Sequence, residues 1–217
     1  TIYLFFKDLI KIINPKFAKP IIILSVPSEI KHSNFGDLWI NSIENTLLEC
    51  NIDSLILVES IICAAYSLEI PFTKPKYNNL YSKFIIVHQT AKATATGVLF
   101  KNNIHNTKII NKIPKDIDLE EIISSINFIL KDSSFTPTEV MDKNLTDSEK
   151  EILTRSWQSQ FEKVIHIVAP IELCKKLDST INDYFDDFKI NCIENYDESI
   201  IKGLEKILIE INSKFNE

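Results

Sequence analysis

The sequence predicts an α/β protein, and three features carry that prediction: strand-like apolar runs, amphipathic helical stripes between them, and a length that suits one two-lobed unit or two small domains. The runs "PIIILSVP", "SLILVES" and "VIHIVAP" are uninterrupted and β-rich, as expected of strands buried on both faces of a helix-flanked sheet. With 217 residues, of which 45% are hydrophobic and 25% charged, the chain has enough apolar surface for a proper core.

The first segment, "TIYLFFKDLIKIINPKFAKP", places Leu4, Phe5, Leu9, Ile12 and Ile13 at helical spacing until Asn14-Pro15 stops the helix. The aromatic residues of Tyr3 to Phe6 are expected to face the core. "PIIILSVP", bounded by Pro20 and Pro27, is the first strand. "NFGDLWINSIENTLLECN" carries a helical stripe of Leu38, Ile43, Leu47 and Leu48, and "DSLILVES" supplies the second strand. "SIICAAYSLEI" follows as a short apolar helix, and Pro71, Pro75 and Asn78-Asn79 mark a surface loop. "KFIIVHQTAKATATGVLF", Lys83 to Phe100, then reads as strand, turn and strand.

Residues 117–131 predict a helix with Asp116 or Asp118 at its N-cap. From 132 to 148 the apolar density falls, and this linker, which includes Pro137, is the expected internal boundary between a first lobe (1–131) and a second (149–217). Thr146 and Glu149 have the spacing of a capping box opening the next helix. "VIHIVAP", "IELCKKLDSTINDYF", "FKINCI" and "DESIIKGLEKILIEINSKF" then alternate strand and helix twice, and no repeat of fixed period appears.

Charge and composition exclude several functions. A net charge of -6 and a single arginine, Arg155, argue against a nucleic-acid surface and against bidentate phosphate clamping. Cys50, Cys63, Cys174 and Cys192 are widely spaced without a CxxC pair, which reads as reduced, packed cysteines in a reducing compartment, the cytoplasm. No apolar run reaches the roughly 18 residues of a membrane span, so no membrane association is expected. The start at Thr1 implies that residues precede it.

His32, His88, His105 and His166 are too scattered for a metal motif, and a Ser25, His88, Asp53 nucleophile set lacks any supporting elbow. "NDYFDD", Asn182 to Asp187, is interrupted by Tyr184 and Phe185 and reads as a solvated helix end, while Lys92 reads as an exposed turn lysine. With glycine only at 36, 97 and 203, no P-loop or dinucleotide fingerprint can be written. The residues thus assign no catalytic, cofactor-binding or metal-binding site.

Two blocks carry a family resemblance. "KPIIILSVPSEI" with "LLECNIDSLILVESIICAAYSL" resembles the Hsp70 and actin-like ATPase superfamily: Ser25, Val26 and Pro27 match its strand-end turn, Glu59 its strand-end glutamate, and Ala64 with Ala65 its small-residue helix. "KVIHIVAPIELCKKLDSTINDYFDDFKINCIENYDESIIKGLEKIL" resembles the end of an Hsp70 nucleotide-binding domain, with Asp197, Glu198 and Gly203 in the matching places. Together the blocks cover roughly half of the chain.

The resemblance implies an actin-like ATPase (RNase H-like) fold with two related lobes of mixed sheets flanked by helices, the second lobe reduced. It also implies where nucleotide chemistry would sit, and there the sequence departs from the family. His88 stands in place of the Asp that positions Mg²⁺. Thr90, Ala91 and Lys92 replace the glycines of the phosphate turn, Gly97 lies too late, and Ala169-Pro170 replaces a Gly-Gly turn.

The resemblance therefore implies a pseudo-ATPase with no cofactor, acting as a protein-binding subunit or cochaperone-like component. By analogy its partner would be a J-protein or a ribosome-associated complex. The alternatives are a divergent actin-related structural subunit, or a residual ATPase or sugar-kinase-like enzyme whose phosphate hairpin precedes Thr1.

Overall fold

The structure is a computed structural model that describes residues 2–13, 19–50, 52–68, 81–101, 103–112, 116, 118–131, 144–159, 161–193 and 196–215. Helix α1 (Ile2–Ile13) precedes strand β1 (Ile21–Val26), and a single turn α2 (Ser28–Lys31) and helix α3 (Gly36–Leu48) lead to β2 (Ser54–Glu59) and α4 (Ser60–Ser67). A meander of β3 (Lys83–Gln89), β4 (Thr94–Phe100) and β5 (Asn103–Ile110) follows. Then come α5 (Leu119–Lys131), α6 (Asp147–Gln158), β6 (Val164–Val168), α7 (Ile171–Tyr184), β7 (Lys189–Ile193) and α8 (Tyr196–Phe215).

Among the described residues the strands form two sheets. β1 and β2 pair in parallel, with Ile21 opposite Ser54 and Val26 opposite Glu59. The larger sheet has the order β5-β4-β3-β6-β7: its meander strands are antiparallel, and β3, β6 and β7 run parallel to one another. The apolar dip at 132–148, read above as a lobe boundary, falls between strands of this one sheet, because β3 and β6 are hydrogen-bonded neighbours.

Side chains alternate across each strand, so each sheet buries two faces. One face of the larger sheet, with Ile85, Val87, Val98, Phe100, Ile165 and Ile167, packs on α5, α6 and α7. Its other face, with Phe84, Ile86, Ala95, Leu99 and Val168, packs on α4. The smaller sheet sets Ile23, Ile56 and Val58 against α4 and α8, and Ile22, Leu24 and Leu55 against α1 and α3. The chain thus stacks helices, sheet, helices, sheet, helices, with α4 and α8 as the layer common to both sheets.

Small residues make that common layer thin, as the sequence implied. Ala64 and Ala65 are fully buried, and Tyr66 donates a hydrogen bond to Glu210 at 3.0 Å across the α4/α8 contact. An Ala65→Leu substitution is expected to lower stability by about 1–3 kcal/mol through overpacking. Urea denaturation measures it, and an unchanged midpoint would mean that the layer has room to spare.

Local signals are met in detail at several places. The capping box forms, with Glu149 N donating to Thr146 Oγ1 at 3.3 Å and Thr146 N to Glu149 Oε2 at 2.8 Å. Asp118, rather than Asp116, caps α5 by accepting from Glu120 N at 3.0 Å. The α3 stripe is only half used: Ile43 and Leu47 are buried, whereas Leu38 and Leu48 face solvent. The side chains of Tyr3 to Phe6 lie outside the described residues, as does the loop at 69–80. Among the described residues, no helix is long and apolar enough to cross a membrane.

Candidate functional site: the strand ends beside α2

Parallel pairing brings the carboxyl ends of β1, β2, β3, β6 and β7 toward one edge of the molecule, where an open α/β sheet offers its crevice. Four segments meet there: Val26-Pro27 with α2, Glu59-Ser60, the β3–β4 turn at Gln89 to Thr94, and Ala169-Pro170. The contact between the two sheets is direct. Thr90 Oγ1, just after β3, donates to Glu29 Oε1 of α2 at 3.0 Å, while Ser28 N donates to Ser60 Oγ at 3.3 Å within the β1/β2 side of the crevice.

Glu59 ends β2 with its side chain 5% exposed and both oxygens engaged: Lys31 Nζ lies 3.1 Å from Oε2 and His32 Nε2 3.1 Å from Oε1. Both partners come from α2 and its C-cap, so this turn supplies the countercharge that a buried carboxylate needs. The sequence reading passed over α2, because a single helical turn has too few residues to show periodicity.

The β3–β4 turn is closed on itself. Thr90 N donates to Ala93 O at 2.8 Å, and the Thr90 hydroxyl accepts from Ala93 N at 3.0 Å and Lys92 N at 3.3 Å. Gln89 Nε2 adds bonds to Thr90 O at 2.6 Å and Ala93 O at 2.8 Å, and the Thr94 hydroxyl bonds Gln89 Oε1. A phosphate cradle presents turn amides outward, from residues in left-handed conformations. Here two of those amides point at Thr90 Oγ1, and the positive-φ residues among those described, Lys101 and Asn106, lie elsewhere.

The second matching turn is likewise committed. Ala169 N donates to Ile193 O at 3.2 Å, Pro170 has no N–H, and Glu172 places a carboxylate in the first turn of α7. The residues present at both turns therefore do not fit the phosphates of a nucleotide.

His88 lies at the end of β3, 1% exposed, and neither ring nitrogen has a hydrogen-bond partner among the described residues. Burial pushes its imidazole down to about 4. His166, across the β3/β6 pair and opposite Ile86, holds Asn191 at 3.0 Å through Nδ1 and packs edge-on to Phe84; burial brings it to about 4 as well. Both face the α4 side of the sheet. Asp53 stands at the opposite end of β2, so Ser25, His88 and Asp53 do not form one site.

The remaining sequence candidates take structural places. Ser25 Oγ accepts from Cys63 Sγ at 3.7 Å, and burial raises the Cys63 thiol to about 11. Cys50, Cys63 and Cys174 are buried, and Cys192 is half-buried. Lys92 is exposed. "NDYFDD" is the frayed end of α7, with Phe185 buried and Asp187 3.3 Å from Lys163. Glu198 pairs with Lys202 at 2.9 Å on α8, and the Asp197 side chain lies outside the described residues. Among the described residues no three His, Cys, Asp or Glu side chains are grouped to hold a metal ion.

With two sheets, a common helical layer and a crevice at the parallel strand ends, the chain has the architecture of an actin-like ATPase, and solved structures agree. MreB5 of Spiroplasma citri bound to AMPPNP matches at a TM-score of 0.56 and 13% identity, over 99% of this chain and 77% of that one. The same protein bound to ADP matches at 0.56 and 11% identity, over 99% and 76%. No protein-family model and no curated protein matches the sequence. The chain has the actin-like ATPase fold.

Proposed function

We propose that this chain is a divergent, non-catalytic actin-like protein that serves as a protein-binding subunit of a larger assembly. One observation carries the reading: the Thr90 hydroxyl accepts from the Lys92 and Ala93 amides and has Glu29 Oε1 and Ala93 O within donating distance, so these amides of the turn that faces the crevice are engaged from within. Pro170 and the engaged Ala169 amide support it from the second turn. The retained core of both sheets supports a scaffold that remains in use. Between the two ancestries that the sequence suggested, the match to MreB5 over nearly the whole chain favours the actin-related subunit over an Hsp70-like cochaperone.

Titration with Mg-ATP and Mg-ADP by calorimetry tests the reading. No saturable binding tighter than about 10 μM, or roughly -7 kcal/mol, is expected. Tight binding would reassign the crevice as a working nucleotide site. The partner is then sought by co-purification with the wild-type chain and a His88→Ala/Lys92→Ala variant, which should recover the same protein equally well.

A further inference from the structure

At the opposite edge of the larger sheet, where β3, β6 and β7 begin, a cavity of about 330 Å³ is lined by Lys83, Leu130, Gln158, Ser159, Phe161, Lys163 and Phe188. It sits across the sheet from the crevice and does not depend on the function proposed above. Lys83 opens β3 and turns, like Ile85 and Val87 after it, toward the α5–α7 layer. Its side chain is 2% exposed.

Its ammonium donates to Trp157 O at the end of α6 and lies 4.4 Å from the Phe161 ring centre and 5.4 Å from that of Trp157. Among the described residues no carboxylate pairs with it. Glu162, next to Phe161 in the chain, accepts from Ser82 at 2.7 Å, while Asp187 is taken by Lys163 at 3.3 Å. A buried ammonium has three protons to place, and one carbonyl with two ring faces leaves it short of an anion.

We propose that this cavity binds a small organic monocarboxylate, its carboxylate on Lys83 and its aromatic or aliphatic body against Phe161, Phe188 and Leu130. The volume stands at the small end of ligand cavities, which limits the body to a single ring or short chain. A monoanion suits the site better than phosphate. Among the described residues only one cation lies deep, the C-terminal carbonyls of α6 bring negative potential to the same wall, and Lys163 at the mouth is already half-neutralised by Asp187. Burial without a counterion holds Lys83 down to about 8, so its charge is present at neutral pH and is lost just above it.

Phenylacetate and its neutral isostere phenylacetamide, titrated into the whole chain at pH 7 and followed by ligand-observed NMR, discriminate the charge from the cavity. Phenylacetate is expected to bind at least about tenfold tighter, and Lys83→Met to erase that preference. If Lys83→Met fails to fold, Lys163→Met at the exposed mouth should weaken phenylacetate several-fold with the fold intact by circular dichroism.

Raising the pH from 7 to 9 should cost wild type about tenfold as Lys83 loses its charge, the other charged groups near the cavity being Lys163, Lys131, Glu162 and Asp187. Equal affinity for acid and amide would reduce the site to an apolar hole. No saturation by about 10 mM phenylacetate, or pH-independent binding, would overturn the proposal.

Discussion

A Gly203→Val substitution is expected to lower stability by about 3 kcal/mol or more, the top of the overpacking range. A Cβ at this position would stand 1.9 Å from Cys63 O, 2.6 Å from its carbonyl carbon and 2.9 Å from its Cα. Every one of these is backbone of α4, so no side chain can swing aside, and the two helices must separate. Separation would undo both faces of the common layer, because α4 packs on Phe84, Ile86 and Leu99 of one sheet while α8 meets Val58 and Ile23 of the other. Even Gly203→Ala should lose stability, although alanine favours a helix over glycine by about 1 kcal/mol. Urea unfolding of the three forms is the measurement. An alanine variant as stable as wild type would show that α8 does not approach α4 this closely.

The resemblance singled out this glycine, and its physical place is where α8 crosses Cys63. Other elements were legible for reasons of patterning alone. "PIIILSVP", "SLILVES" and "VIHIVAP" became β1, β2 and β6 because strands covered on both sides need no polar alternation. β5 escaped notice for the converse reason. "NIHNTKII" mixes Asn, His and Lys at the sheet edge, carries Asn106 at φ 52°, and pairs with β4 through a register shift between Thr96 and Val98.

The grouping of strands was also hidden. A drop in apolar density marks where a chain leaves the core, and nothing in it tells whether the next strand returns to the same sheet. At 132–148 it does, and β6 pairs with β3 over 70 residues away in sequence, Ile85 lying opposite Ile165.

The candidate site was legible in position but not in mechanism. The departure of His88 and of Thr90 to Lys92 from the Asp and glycines that the resemblance implied could be read directly. That the Thr90 hydroxyl takes up the turn amides depends on a side-chain torsion and on Glu29 of a one-turn helix, neither of which has a sequence pattern. Lys83 likewise reads as an ordinary strand-edge lysine until Trp157, Phe161 and Phe188 are seen to surround it.

The second large effect is acid destabilisation through His88. Its ordinary value is about 6.5, and burial lowers it to about 4 in the folded chain. Between these values the unfolded chain binds a proton that the folded chain refuses, so stability rises with pH across the window. The contribution is complete above pH 6.5 and lost as the pH falls toward 4. A difference of that size corresponds to about 3 kcal/mol, applied to a group that is 1% exposed and has no partner among the described residues to share the charge.

Replacing His88 with leucine removes the titration while keeping an apolar side chain of similar bulk. At pH 7.5 the His88→Leu variant should be as stable as wild type or more so, since the neutral imidazole leaves both nitrogens unsatisfied. At pH 4.5 it should be more stable by about 2–3 kcal/mol, with His166 still titrating in both chains and cancelling in the difference. Urea midpoints at the two pH values, with equal m-values, give that difference, and parallel pH profiles for the two chains would mean that His88 reaches solvent or a counter-charge.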